Sequence, residues 1–405
     1  MGTSIVRRLS PEEVARLQAT TQSAKESSSG APPGKFVFFA AFDGTNNDKN
    51  NLPRPRPPAL EAIYQTNVAN LYDHAKIHES DTFKVRYYPG VGTGGENGNW
   101  LNAGVFPTGP IRNAADKALH EFAWQARDYL RNTPDATYAD LSASIVSFSR
   151  GSAPAMVFAH TLEKEGLVLA DGTQVAPPGA VRITSNVMFD PVTRFVDEDL
   201  SLPSNVLGRT LLIAARDEHR TDFRLADYLR DPRVTLVELA GNHCGIGGGY
   251  DLHGTAAAAL EIGTAYLQNS GIEVADVRPE LRLDSRQGIS IYSELYQTAR
   301  NGDLLGDPDH PDKAWAQDWG SDRRTRPVPA AVPHAPHEVQ LHDDPFEQLF
   351  QAALANDDRA FSAAAQAYGQ SADGQAFLRM GRELNLQQDF LQAQRATAQQ
   401  HAPMR

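Results

Sequence analysis

The chain has 405 residues, enough for one large α/β domain with additional segments or for two domains. A hydrophobic fraction of 41% can fill a sizeable core, while a formal charge of −12 speaks against a nucleic-acid partner, whose phosphates call for a basic face. The one cysteine, Cys244, excludes an internal disulfide framework and a cysteine-rich zinc site, and no run approaches the roughly 18 to 20 apolar residues of a membrane span.

Met1–Ser10 contains no apolar h-region, so no ordinary secretory signal is expected. Ser10-Pro11-Glu12-Glu13 has the form of a helix start: a serine cap, a proline in the first turn and a glutamate three residues after the cap. A polar linker follows over residues 23–34. Lys35–Phe42 is a continuous apolar run, as expected of a buried strand, and it ends in the turn-rich loop Asp43-Gly44-Thr45-Asn46-Asn47. Arg54–Pro58 is too rich in proline for regular structure, and Leu60–His78 has helical spacing. Phe83–Tyr88 is a second strand, followed by a glycine-rich loop over Pro89–Gly98. A helix is expected over Ile111–Leu130 and a third strand over Leu141–Phe148. Arg182–Phe189, Thr210–Ala215 and Val234–Leu239 are short β-rich runs, with helices expected around Asp222–Leu229 and over Thr255–Leu267.

Strands alternating with helices predict an α/β fold: a doubly wound, mostly parallel sheet with helices on both faces. Beyond about residue 275 the pattern weakens. Arg323–His342 has the composition of an exposed linker, and Asp344–Asn356 and Arg359–Gln399 are expected to be helical, as a C-terminal extension. The organisation expected is an N-terminal helix and linker (1–34), a catalytic domain (35–275), an irregular extension and linker (276–342) and a helical segment (343–405).

Chemistry concentrates in loops at the carboxyl ends of the strands, where doubly wound sheets place their sites. The third strand runs into Ser147-Phe148-Ser149-Arg150-Gly151 and then a helical stretch, the strand–turn–helix context of a nucleophile elbow. Ser149 is the nucleophile this pattern predicts, and the residues two before and two after it, Ser147 and Gly151, are small as the turn demands. A serine needs a base, an acid that orients the base, and donors for the oxyanion. His243 follows the last strand in a glycine-rich turn and is the candidate base. Asp190 and Asp217, both at strand ends, are candidates for the acid, with Asp190 preferred and Asp217 the alternative. The Arg150 backbone N–H and the loop Gly44–Thr45 are the candidate oxyanion hole, supported by Asp43.

No metal or cofactor is expected. His74 and His78 lie four apart, but Ala75 stands where an H-E-x-x-H site needs its glutamate, so they are taken as a solvated helix face. Gly90–Gly95 lacks the Lys-Ser/Thr of a P-loop and is taken as a shaped loop. Asp307–Asp312 fits a turn-rich linker better than a cation site, and Trp100–Phe106 is a candidate lid.

Six motifs occur in order: Phe42-Asp-Gly-Thr-Asn46, Tyr88-Pro-Gly-Val-Gly-Thr93, Phe148-Ser-Arg-Gly151, Phe189-Asp-Pro-Val192, Ala215-Arg-Asp-Glu218, and Gly241-Asn-His243 with Gly247-Gly-Gly-Tyr250. Together they span roughly residues 35–270. In this the chain resembles the α/β-hydrolase family of bacterial type VI secretion lipase effectors. The resemblance implies a phospholipase A-type serine hydrolase acting on membrane phospholipids, with a triad of Ser149, Asp190 and His243. It further implies an effector made in the bacterial cytoplasm and delivered into a target cell or its periplasm. Its partners would be a secretion-apparatus component and an immunity protein, with transient contact to a membrane surface. The chain departs from the family pattern at two places: Ser147 replaces the usual glycine, and Cys244-Gly245-Ile246 replaces a serine, aspartate and valine. These departures motivate a second reading, a weakly active or non-catalytic module on a hydrolase scaffold; a cytosolic carboxylesterase is a third.

Overall fold

A computed structural model describes residues 5–51, 65–98, 107–193, 196, 198–218, 223–249, 254–284, 288–293 and 325–327. Contacts divide the chain into Met1–Ala331 and Val332–Arg405, and every described residue belongs to the first unit. The expected C-terminal helices, the lid segment Trp100–Phe106, the Asp307–Asp312 cluster and Arg54–Pro58 lie outside the described residues.

Six strands form the central sheet: β1 (Phe36–Phe42), β2 (Phe83–Tyr88), β3 (Leu141–Phe148), β4 (Arg182–Phe189), β5 (Thr210–Ala215) and β6 (Val234–Leu239). Their spatial order is β6-β5-β4-β3-β1-β2, and all five pairings are parallel. β1 shows why the run FVFFAAF folds as it does. Every residue is buried, with Phe36, Phe38, Ala40 and Phe42 in one core and Val37, Phe39 and Ala41 in the other. The first core is covered by α3 (Thr108–Asn132) and α4 (Ser152–Lys164), the second by α1 (Pro11–Ala24), α2 (Asn67–Lys76) and α6 (Gly254–Asn269). This is an α/β-hydrolase-like, doubly wound sheet. The strand order reverses between β1 and β3, so their carboxyl ends flank the topological switch point, where such sheets hold ligands.

α1 starts as its capping box dictates: Ser10 Oγ accepts from Glu13 N–H at 3.2 Å and Glu13 Oε2 accepts from Ser10 N–H at 2.9 Å. Both segments set apart in the sequence pack on the second core. Leu17 of α1 is buried there, and Lys25 pairs with Glu261 of α6. Ile272, Val274, Val277, Ile289 and Ile291 join the same core, and Ser290–Ser293 pairs antiparallel with Ile5–Arg8.

One expected element is absent among the described residues. In place of a helix around Asp222–Leu229, Leu225–Asp227 is a strand paired in parallel with Thr325–Pro327, which lies inside the stretch expected to be a linker. Ala226 N–H donates to Pro191 O at 2.9 Å and the Tyr228 hydroxyl donates to Leu200 O at 2.8 Å. Neighbouring chain thus takes the Ala226 amide, which a helical turn would otherwise have paired.

The first core hinges on Phe122 of α3, fully buried, stacked on Phe38 at 4.7 Å and close to Phe158 of α4 at 6.3 Å. Phe122→Ala should lower the unfolding free energy by about 3 to 5 kcal/mol, as emptied aromatic core sites do, measured by urea denaturation.

Candidate active site

Ser149 opens a short 3₁₀ turn, Ser149–Gly151, between β3 and α4. Its φ is +56°, a left-handed conformation that costs a non-glycine residue about 1–3 kcal/mol and that the surrounding structure must hold in place. The crowding is direct: a Cβ at Gly151 would lie 2.5 Å from the carbonyl oxygens of both Phe42 and Asp43. Only glycine lets the β1 and β3 ends come together here. Ser147, two residues before the elbow serine, is fully buried, and its hydroxyl has no hydrogen-bond partner among the described residues.

Phe148, between these serines, is the spacer of the site. Its ring lies 4.6 Å from the His243 ring, centroid to centroid. A Cβ at Gly247 would fall 2.1 Å from the same phenyl ring, so the loop after β6 folds over it only because glycine stands there. The Phe223 ring meets His243 from another side at 4.9 Å, edge-on.

His243 begins the short helix α5 (His243–Gly247), capped by Asn242, whose Oδ1 accepts from Gly245 N–H at 2.8 Å. His243 Nδ1 lies 2.6 Å from Asp190 Oδ2, with both residues at 2% exposure or less. A proton on Nδ1 shared with the carboxylate leaves Nε2, on the far side of the ring, as the basic nitrogen. Asp190 is itself held at φ +40°, and its Oδ1 accepts from Ala215 N–H at 2.9 Å.

Asp217 is placed differently. Its Oδ2 accepts from Gly241 N–H at 2.8 Å and from Arg216 at 3.2 Å, so its carboxylate ties the end of β5 to the loop after β6. Glu218, fully buried, accepts from the backbone N–H of His243 at 3.1 Å. Sequence reasoning gave Glu218 no catalytic part; its signal was its place in the Ala215–Glu218 motif at a strand end.

On the β1 side the two candidate donors diverge. Gly44 N–H donates to Asp43 Oδ1 at 2.7 Å. Thr45 N–H has no hydrogen-bond partner among the described residues, and Thr45 Oγ1 accepts from Arg150 Nε at 2.9 Å. Asp43 is 2% exposed and also accepts from the Thr66 hydroxyl at 2.7 Å and the Tyr87 hydroxyl at 2.6 Å. Burial raises its pKa to about 6 against these hydrogen bonds, which pull the other way.

His74 departs from the solvated face expected of it. It is buried on α2, with neither ring nitrogen hydrogen-bonded among the described residues, and burial lowers its pKa; His78 is exposed. The sequence could not show that residues 272–277 would cover this helix. The glycine-rich loop closes on itself, with Gly92 N–H to Asn97 O at 2.7 Å and Gly94 N–H to Gly98 O at 2.8 Å. Among the described residues no group of three or more His, Cys, Asp or Glu side chains could hold a metal ion. No described helix is long and apolar enough to cross a membrane.

No family model and no curated protein matches the sequence. Solved structures do. An uncharacterised protein from Pseudomonas aeruginosa aligns over 67% of this chain and 51% of its own, at 18% identity and a TM-score of 0.42. The Tle1 effector, in a structure where it is bound to the VgrG spike of the type 6 secretion system, aligns over 55% of this chain and 52% of its own, at 20% identity and a TM-score of 0.39. The chain covers about half the length of each.

Asp43 sets a pH dependence of stability. Its folded pKa, about 6, stands above the ordinary 3.8, so between those values the folded chain keeps a proton that the unfolded chain releases. Stability therefore falls as pH rises from about 4 to 6, and the loss is complete above that. At about 1.4 kcal/mol per pKa unit, the effect is on the order of 3 kcal/mol. Urea denaturation of wild type and Asp43→Asn at pH 4 and pH 7 should show the wild type losing about that much relative to the variant. Parallel pH curves would contradict it.

Proposed function

We propose that the protein is a serine hydrolase that cleaves carboxylic esters of phospholipids. The observation that carries the reading is the buried Asp190–His243 hydrogen bond of 2.6 Å, on the same sheet edge as a serine held at φ +56° at the end of β3. In the proposed cycle Ser149 Oγ attacks the ester carbonyl while His243 Nε2 takes its proton, and Asp190 holds the imidazolium. The tetrahedral oxyanion is met by the backbone N–H groups of Arg150 and Thr45. Collapse expels the alcohol, a lysophospholipid, with the proton returned from His243. Water then attacks the acyl-enzyme by the same route and releases the fatty acid.

The lipid class rests on the resemblance of the six motifs to those of secreted lipase effectors. Mixed phospholipids incubated with the enzyme should yield lysophospholipid and free fatty acid by mass spectrometry. Ser149→Ala and His243→Ala should each lower turnover by about 10⁴ to 10⁶ with the fold retained, because such residues act as a unit. Asp190→Asn should be far more damaging to turnover than Asp217→Asn, whose carboxylate accepts from Gly241 rather than from the imidazole. Ordinary hydrolysis by Ser149→Ala would rule the reading out. The buried, unpaired Ser147 hydroxyl favours a second reading, a non-catalytic module on this scaffold. Failure of a fluorophosphonate to label Ser149 in the folded protein would select it.

The same motifs support export as an effector through a secretion apparatus, with an immunity partner in the compartment where it acts. Directing the chain to the bacterial periplasm should then be toxic where cytoplasmic expression is not, and Ser149→Ala should abolish the toxicity.

A further inference from the structure

We propose that Asp43 is a positioning residue of the acyl-transfer site: as a carboxylate it clamps Gly44, Thr66 and Tyr87, and this clamp holds the Thr45 amide in place as an oxyanion donor. The inference rests on the serine-hydrolase reading above and concerns a residue that touches neither Ser149 nor substrate.

The hydrogen bonds around Asp43 have a defined direction. Thr66 Oγ1 caps α2 by accepting from Ala69 N–H at 3.1 Å, so its own proton is directed to Asp43 Oδ2 at 2.7 Å. The Tyr87 hydroxyl accepts from Lys49 N–H at 3.0 Å and likewise gives its proton to Oδ2, at 2.6 Å. Gly44 N–H occupies Oδ1 at 2.7 Å. Three donors from three parts of the chain meet one carboxylate, an arrangement that fits the ionised acid, which accepts at both oxygens and donates at neither. A proton on Asp43 would face donors on every side.

The clamp reaches the site through the backbone. The Asp43 carbonyl oxygen lies where a Cβ on Gly151 would come within 2.5 Å, so Asp43 is pressed against the elbow. Two residues on, Thr45 is tied to Arg150 by the 2.9 Å Nε–Oγ1 bond. Fixing the Gly44 amide on one side and the Thr45 hydroxyl on the other leaves little freedom for the peptide between them, whose N–H is that of Thr45. Oxyanion donors act through such pre-organisation, and loss of one commonly lowers kcat by about 10² to 10³.

Among the described residues the charged and titratable groups that face Asp43 or its loop include Arg150, whose Nε is bonded to Thr45 Oγ1 at 2.9 Å. Tyr87 arrives from β2, and Asp48 acts from the same loop and disfavours the carboxylate's charge. The Lys49 ammonium is engaged with Asp73 at 3.0 Å and lies 6.0 Å from the Tyr87 ring centroid. With burial holding the Asp43 pKa near 6, the clamp opens as pH falls through that value.

The test measures kcat and KM for a short-chain ester from pH 4.5 to 8 in wild type, Asp43→Asn, Tyr87→Phe and Ser149→Ala, with circular dichroism to confirm the fold. Asp43→Asn keeps the shape but sets an amide NH₂ against the hydroxyl donors. It should lower kcat by about 10- to 100-fold at pH 7.5 with KM within about twofold. Tyr87→Phe removes one of the carboxylate's three donors and nothing from the imidazole; it should lower kcat by less than Asp43→Asn does, with KM again within about twofold. A wild-type kcat in a folded Asp43→Asn, or in a folded Tyr87→Phe, would overturn the clamp while leaving the Ser149 reading intact. Activity that survives Ser149→Ala would remove both.

Discussion

A carboxylate and an imidazole buried in direct contact, Asp190 and His243, set the terms for the rest of this structure. Burying a charged acid is unfavourable unless its oxygens find donors, and Asp190 has Ala215 N–H on one oxygen and His243 on the other. Those donors belong to β5 and to the loop after β6, so the bond exists only if β4, β5 and β6 end level with one another. The parallel register provides this: Phe189 pairs with Ile213, and Ala215 with Leu239. The strained φ of Asp190 is the local consequence, since the chain must turn sharply to aim its side chain across its neighbour.

The same device recurs along that edge. Asp217 takes the Gly241 amide, Glu218 the His243 amide, and Asp43 the Gly44 amide together with two hydroxyls. All four acids are at most 7% exposed. Strand ends of a parallel sheet point unpaired backbone groups into the loops, and buried carboxylates accept from them, joining each loop to the next. Phe148 complements this with apolar contact, its ring touching His243 and excluding any side chain at Gly247. Rigid placement of the loops therefore comes from hydrogen-bonded acids and one aromatic wedge, on a sheet whose two cores supply most of the apolar burial.

Much of this was legible because local signals and tertiary demands agree. The all-apolar run of β1 specifies a strand buried on both faces, and the Ser10–Glu13 box fixes the start of α1. Order along the chain also put Ser149, Asp190 and His243 at strand ends. Where the reading departs from the structure, long-range contacts decide. Leu225–Asp227 is a strand because residues a hundred positions away pair with it, and His74 is buried because residues 272–277 fold over α2. The engagement of the Gly44 amide was equally hidden. A motif says that glycine permits close approach, but not which acceptor will take its N–H. Thr66 and Tyr87 lie 23 and 44 residues from Asp43, and nothing local marks them as its partners.

Among these acids Asp43 stands apart in what holds its charge. Asp217 has Arg216 beside it, whereas no ion pair joins Asp43 among the described residues; its partners are neutral dipoles. Dipoles stabilise an ion in a desolvated site less than a cation does, which is why burial still outweighs three hydrogen bonds and leaves the acid titrating near 6. A cation there would have lowered that pKa and removed the stability penalty. The fold tolerates a less stable carboxylate at this position at neutral pH.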